Sequence, residues 1–303
     1  MTMEKKFFHI AAFYKFIQIS ETDLVAVRTA IENFCSANQI HGLAVMGREG
    51  VNATIAGSSE AIAQFKIFIV ELLKVDEIQF KDSVAEKMPF ARFKVDVRAE
   101  IITTKDETLL HTDSEGTHLS PREWHELLNS DPDVVLVDTR NFYETEIGIF
   151  EKAIDPKLTK FSDFERFVER EALPHDKKLL LYCTGGIRCE KAVPEMKRLG
   201  YQNVFQLEGG ILRYLEEFPN GHFKGECFVF DHRVAVDQNL EASKTYKLCP
   251  HCGNPAKESV NCTECGTAAI VCSGCLERAD RHSCSKNCAY HLRRKSAAVS
   301  IAG

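Results

Sequence analysis

The sequence has no run of about 18 apolar residues, so it predicts no transmembrane helix. Its first residues lack the apolar core and the small-residue cleavage site of a signal peptide, which favours a cytoplasmic location. It contains no low-complexity segment, and its only internal repetition is a series of CxxC pairs. The chain has 303 residues, of which 44% are hydrophobic and 27% charged, which suits two or three folded domains and excludes disorder throughout.

Charge is unevenly distributed along the chain. The formal net charge is −6, yet residues 247–303 contain eight Lys or Arg and only four Asp or Glu. The negative charge therefore belongs to the rest of the chain. A basic tail on an acidic body is compatible with an anionic partner such as nucleic acid, and the simpler alternative is a solvated terminus.

Residues 1–100 follow the pattern of an α+β domain. Apolar and capping signals predict strands near 7–16, 43–46, 51–55, 78–80 and 90–97, with helices near 20–35 and 58–73. The order βα(ββ)αβ predicts a ferredoxin-like or acylphosphatase-like sandwich, in which two helices cover one face of the sheet.

A polar segment at 101–117 reads as a linker, and residues 118–223 then alternate strands with helices. Buried-strand signals lie at 134–137, 178–182 and 204–207, and a capping box begins at Ser120. This alternation predicts an α/β domain with a parallel sheet and helices on both faces. Residues 224–247 are expected to connect it to a small cysteine-rich domain at 248–303.

The loop that follows the 178–182 strand carries the strongest chemical signal. Cys183 stands at the carboxyl end of a parallel strand, where open α/β sheets place their sites. The backbone N–H groups and the permanent charge of Arg188 would stabilise a thiolate. We therefore predict Cys183 as the catalytic residue, the alternative being a buried structural thiol. The remaining loop residues are Thr184, Gly185, Gly186, Ile187 and Arg188.

Cys189 closes this loop and has two interpretations. It is either a thiol that resolves an oxidised or persulfidated Cys183, or a small packing residue. Arg188 comes one position earlier than the arginine of cysteine phosphatases, so the loop fits a sulfur atom better than a phosphate.

The cysteine-rich tail has the spacing of metal knuckles. Its four cysteine pairs supply eight thiolates, enough for two Cys₄ zinc sites, but the sequence leaves open which pairs share a metal. Disulfides and an iron–sulfur cluster are the alternatives, and His251, His282 and His291 are possible substitute ligands. The predicted ligands are Cys249, Cys252, Cys262, Cys265, Cys272, Cys275, Cys284 and Cys288.

Four motifs in residues 118–223 resemble the rhodanese family. They are Asp138-Thr139-Arg140 after a strand, Tyr143-Glu144 with Gly148, the loop that begins at Cys183, and the Gly209-Gly210 turn. The resemblance implies that Asp138 and Arg140 brace the active loop rather than act in it.

Over nearly the whole chain the sequence resembles the rhodanese-domain tRNA uridine(34) hydroxylase family. This resemblance rests on the loop and on two further segments, Arg-Glu-Gly-Val-Asn-Ala at 48–53 and Phe-Val-Phe-Asp at 228–231. It implies oxygen-dependent 5-hydroxylation of the wobble uridine of tRNA, with Cys183 essential and molecular oxygen as co-substrate. Cys183 would add to C6 of the uracil or carry a persulfide or oxidised sulfur. No flavin or nucleotide site is evident.

Two other functions remain open from the sequence. One is a sulfurtransferase that acts through a Cys183 persulfide, although such an enzyme needs no appended domains. The other is a zinc-containing adaptor, against which the intact loop argues. Arg48 and Asn52 either face the active site or form an ordinary turn. No membrane contact is expected, and no protein partner is predictable.

Overall fold

The computed structural model describes residues 7–104, 114 and 116–301. Most of the predicted 101–117 linker (residues 105–113 and 115) lies outside the described residues. The chain forms two compact units, the first reaching Cys227 and including Asp237–Glu241, the second comprising Phe228–Val236 and the chain from Ala242 onward. No helix in the described part of the chain has the length and apolar character needed to cross a membrane.

The first unit begins with a five-stranded sheet in the order β4-β1-β3-β2-β5. Its inner strands pair antiparallel, and β5 adds parallel to β2 at one edge. The α+β sandwich predicted from the sequence is confirmed. Its elements are β1 (Phe8–Phe16), α1 (Glu21–Ala37), β2 (His41–Gly47), β3 (Gly50–Gly57), α2 (Ser59–Leu73), β4 (Lys81–Ala85) and β5 (Phe93–Val97).

One strand was predicted three residues too early. The apolar run at 78–80 is not a strand, and β4 begins at Lys81. Ile78 is buried in the core under the helices, so its apolar character reflects packing and not strand pairing. The displacement matters because it puts Lys81, rather than an apolar residue, at the start of the strand.

The two faces of this sheet have different partners. Ala11 and Phe13 of β1 point into the core that α1 and α2 cover. On the opposite face, Phe16 packs with Ile187 of the loop predicted as the active site. Because side chains alternate along a strand, Tyr14 shares this second face with Phe16.

The α/β part of the first unit has a parallel sheet in the order β6-β10-β9-β7. Helices α5 and α6 pack on one face, while the ring of Trp124 in α3 meets that of Tyr182 on the other. The predicted parallel sheet with helices on both faces is confirmed. Its elements are β6 (His118–Leu119), α3 (Pro121–Ser130), β7 (Val135–Asp138), α4 (Phe142–Thr145), β8 (Gly148–Phe150), α5 (Phe164–Glu171), β9 (Leu179–Tyr182), α6 (Cys189–Arg198), β10 (Val204–Leu207), α7 (Gly210–Glu217) and β11 (Phe223–Gly225).

The chain passes to the second unit within β12 (Cys227–Phe228). This unit is built from short antiparallel strand pairs with little apolar core of its own. Its elements are β13 (Ala235–Val236), β14 (Lys247–Leu248), β15 (Pro255–Ala256), β16 (Glu258–Asn261), β17 (Ala268–Val271), α8 (Ser273–Leu276) and α9 (Lys286–Ile301).

Candidate active site and metal centre

Cys183 lies directly after β9, in the loop that leads into α6. Its side chain is fully buried, and its Sγ accepts a hydrogen bond from the backbone N–H of Gly186 at 3.1 Å. Gly186 has φ +99°, and a Cβ there would come within 3.0 Å of the Tyr14 hydroxyl. The loop can therefore close around the sulfur only with glycine at this position.

The surroundings of Cys183 favour its thiolate form. Burial raises the pKa of Cys183, but a hydrogen bond from the Cys189 thiol, the charge of Arg188 and backbone N–H groups outweigh it and lower the pKa to about 6. Burial and the neighbouring Cys183 raise the pKa of Cys189 far above its usual range. The proton of the pair therefore stays on Cys189, which acts as a donor to the Cys183 sulfur.

Arg188 is held by a carboxylate that the sequence interpretation did not place in the site. Its guanidinium forms a bidentate pair with Glu144 at 2.6 and 2.8 Å, and both side chains are buried. Thr184 also donates its hydroxyl to Glu144 at 3.3 Å. Burial raises the pKa of Glu144, and the charge of Arg188 outweighs it and keeps the carboxyl ionised. The only signal for Glu144 in the sequence was its place in the Tyr143-Glu144 motif.

Asp138 and Arg140 form a second buried pair behind the loop. Two guanidinium nitrogens of Arg140 reach Asp138 at 2.7 to 3.2 Å, and Nη2 also donates to the Gly148 carbonyl at 2.6 Å. The pair thus ties the end of β7 to β8. The bracing role that the resemblance implies for both residues stays a prediction.

Glu190, the residue after Cys189, collects hydrogen bonds from distant parts of the first unit. Tyr14 donates its hydroxyl at 2.9 Å and Ser114 donates its own at 2.5 Å. His118 Nε2 lies 3.0 Å away, and this contact raises the pKa of the imidazole. Glu190 was not predicted, since nothing local distinguishes it from a surface glutamate at the start of a helix.

The sandwich sheet also reaches the start of α6 through the 48–53 segment. Lys191, which is 2% exposed, pairs with Glu49 at 2.6 Å and with Glu100 at 3.5 Å. Arg48 instead pairs with Glu21 at the surface. Asn52 lies on β3 opposite Tyr14, on the face that meets the loop.

The eight tail cysteines fall into two groups that interleave along the chain. In each group the four sulfur atoms lie within 4.8 Å of one another. Alternate pairs therefore come together, which decides between the two pairings that the sequence left open. One group contains Cys249, Cys252, Cys272 and Cys275, and the other contains Cys262, Cys265, Cys284 and Cys288.

The histidines considered as substitute ligands lie outside both groups. His251 and His282 hydrogen bond the backbone carbonyls of Ser283 and Leu276. Two of the basic residues near the end are paired within the unit, Arg293 with Asp280 and Lys295 with Glu264.

Three family models match successive parts of the chain. Residues 8–101 match the UPF0176 acylphosphatase like domain, residues 120–217 the Rhodanese-like domain, and residues 224–289 the Rhodanase C-terminal model. A protein of Bdellovibrio bacteriovorus named tRNA uridine(34) hydroxylase is 44% identical over 96% of this chain and 83% of its own. The chain belongs to the tRNA uridine(34) hydroxylase family.

Another member of this family, from Synechococcus elongatus, is 41% identical over 84% of this chain and 93% of its own. A solved rhodanese-like domain from Anabaena sp. aligns with 36% of this chain and 79% of its own, at 19% identity and a TM-score of 0.31. Membership of the hydroxylase family confirms the resemblance inferred from the loop and the 48–53 segment. The names of these relatives do not favour the sulfurtransferase alternative.

Proposed function

We propose that this protein hydroxylates C5 of the uridine at position 34 of tRNA in an oxygen-dependent reaction, with Cys183 as its catalytic residue. The observation that carries the proposal is the buried sulfur of Cys183, which accepts the backbone N–H of Gly186 in a loop within the segment that matches the Rhodanese-like domain. The names of relatives that are 38–44% identical supply the substrate.

The proposed reaction begins when a nucleophile adds to C6 of the uracil ring. A thiolate that adds there forms an S–C6 bond with its own electron pair, and the electron pair of the C5=C6 π bond moves onto C5 and O4, which makes C5 reactive towards oxygen. Replacing C5–H by C5–OH is a two-electron oxidation. With molecular oxygen as the source, one oxygen atom enters the base and the other leaves as water, which requires two further electrons from an external reductant.

A substrate base can reach the loop from solvent at Gly185. This residue is half-exposed, and a side chain added there would meet nothing within 4 Å. Every other loop residue from Cys183 to Arg188 is buried. A base that reaches Cys183 would therefore approach beside Gly185, flipped out of the anticodon stack.

For the second unit we propose two structural zinc ions, one in each cysteine group. A tetrahedral zinc with Zn–S bonds of about 2.3 Å separates its sulfurs by roughly 3.8 Å. In the first group the sulfurs of Cys252 and Cys272 lie 3.5 Å apart. In the second group the sulfur of Cys265 lies 3.5 Å from that of Cys284 and 3.8 Å from that of Cys288. These distances are close to the zinc value. Zinc would supply the stability that the small apolar core lacks.

The function is tested by mass spectrometry of tRNA nucleosides from cells that lack this gene. Wild type should restore 5-hydroxyuridine-type nucleosides at position 34, and Cys183→Ala should not. Cys35→Ala is the matched control, since Cys35 is also a buried thiol but belongs to the sandwich core. Wobble nucleosides that do not depend on the gene, in cells with no second pathway, would refute the proposal.

A further inference from the structure

Lys81 is a buried amine that the acylphosphatase-like sheet contributes to the first unit. It begins β4, pairs with Ala12 of β1, and is only 7% exposed. Its Nζ lies over the ring of Tyr14, 4.5 Å from the ring centroid. The side chain therefore occupies the sheet face that meets the Cys183 loop and not the helix-covered core.

Among the described residues no carboxylate forms an ion pair with this amine, although the charges of Glu190 and Glu208 act on it. The two nearby acidic groups are engaged elsewhere, since Glu190 accepts from Tyr14 and Glu208 pairs with Arg213 and accepts from Gln79. Burying an ammonium group without an ion pair costs free energy, so we infer that Lys81 has a role in function.

The ring of Tyr14 connects the amine to the active loop. Its hydroxyl lies 3.0 Å from the place where a Cβ of Gly186 would stand, and it donates to Glu190 at the start of α6. Of the charged groups that act on Lys81, the thiolate of Cys183 has the largest effect, followed by Glu190, Arg213 and Glu208.

We propose that Lys81 is a catalytic residue that donates a hydrogen bond to the uracil O4 when Cys183 adds to C6. This inference rests on the proposed function. In the step, the thiolate pair forms the S–C6 bond, the C5=C6 π bond opens, and its electron pair is shared by C5 and the enolate oxygen O4. No proton leaves Lys81 and no electron is lost. A fixed cation beside the oxygen that gains charge stabilises this enolate.

The ionisation of Lys81 is compatible with this donor role. Burial lowers the pKa of Lys81, while the charges of Cys183 and Glu190 act in the opposite direction, and the result is about 8. At neutral pH most molecules therefore carry the ammonium form.

The experiment measures addition at C6 without the oxygen step. An anticodon stem–loop is incubated with the protein in D₂O under anaerobic conditions, and exchange of the C5 hydrogen of U34 is followed by mass spectrometry. Reversible addition deuterates C5 and then releases the original hydrogen. Wild type should exchange, Lys81→Met should exchange about 100-fold more slowly, and Lys81→Arg should retain part of the rate. Lys66→Met is the matched control, because Lys66 pairs with Asp82 at the surface of the same domain.

A second measurement separates loss of the donor from loss of the nucleophile. Alkylation of Cys183 by iodoacetamide should stay within about twofold of wild type in Lys81→Met, since backbone N–H groups, Cys189 and Arg188 still stabilise the thiolate. Unchanged exchange in Lys81→Met would overturn the proposal, as would a parallel fall of exchange and alkylation. Wild type that forms 5-hydroxyuridine in air but shows no anaerobic exchange would overturn it too. Absence of 5-hydroxyuridine in wild type would instead count against the proposed function.

Discussion

The Nζ of Lys191 lies 2.6 Å from the carboxylate of Glu49, so α6, the helix that follows the Cys183 loop, is paired with the hairpin between β2 and β3. Glu49 also accepts the backbone N–H of Ile101 at 2.8 Å. One carboxylate thus joins two parts of the sandwich domain to α6. The 48–53 segment contacts α6 through Glu49, whereas Arg48 pairs with Glu21.

Glu49→Gln should destabilise the protein by about 2 kcal/mol. The substitution removes the nearer of the two carboxylates that pair with the buried ammonium of Lys191, the other being Glu100 at 3.5 Å. Urea unfolding measures the change. The control is Arg48→Gln, which breaks an exposed pair and should cost less than about 0.5 kcal/mol. Equal costs for the two variants would show that Lys191 does not depend on Glu49.

Alkylation of Cys183 should depend on pH with a midpoint near the thiolate pKa of about 6. Because the reactive species is the thiolate, the rate falls as pH drops through this value and is level above it. Cys189→Ala removes the thiol that donates to Cys183, so the midpoint should move upward by about one pH unit. A midpoint that stays in place would show that Cys189 only fills space.

Glu144→Gln should cost about 3 kcal/mol in the free energy of unfolding, since it removes a buried carboxylate that pairs with the buried guanidinium of Arg188. Chemical denaturation provides the measurement. Glu146→Gln is the matched control, because Glu146 lies two residues away and is exposed. If both variants unfolded alike, Arg188 would have to be held by other groups.

The metal content of paired cysteine variants tests the interleaved arrangement. Freshly purified, reduced protein should contain about two zinc ions per chain. Cys252→Ser with Cys272→Ser affects one group and should remove about one ion, whereas Cys252→Ser with Cys265→Ser affects both groups and should remove about two. Elemental analysis that gave the reverse order would support pairing of consecutive CxxC motifs instead.

Local patterns were sufficient for most of the secondary structure and for locating the Cys183 loop. The period of apolar residues, the capping serine at Ser120 and the glycines beside Cys183 act within a few residues, so each can be recognised in the sequence. The run at 78–80 was assigned to a strand wrongly, because Ile78 is apolar for a tertiary reason, its burial under the helices. Strand β4 starts just after it, with Lys81.

The sequence by itself thus determined the domain types, the Cys183 loop and the set of eight tail cysteines. Only the tertiary structure decided which carboxylates meet Arg188 and Lys191, which sheet face brings Lys81 and Tyr14 to the loop, and which cysteine pairs come together. The reason is physical. A glutamate or lysine has the same local pattern whether it is solvated or buried in an ion pair, and its partner is set by packing between segments that lie far apart in the chain.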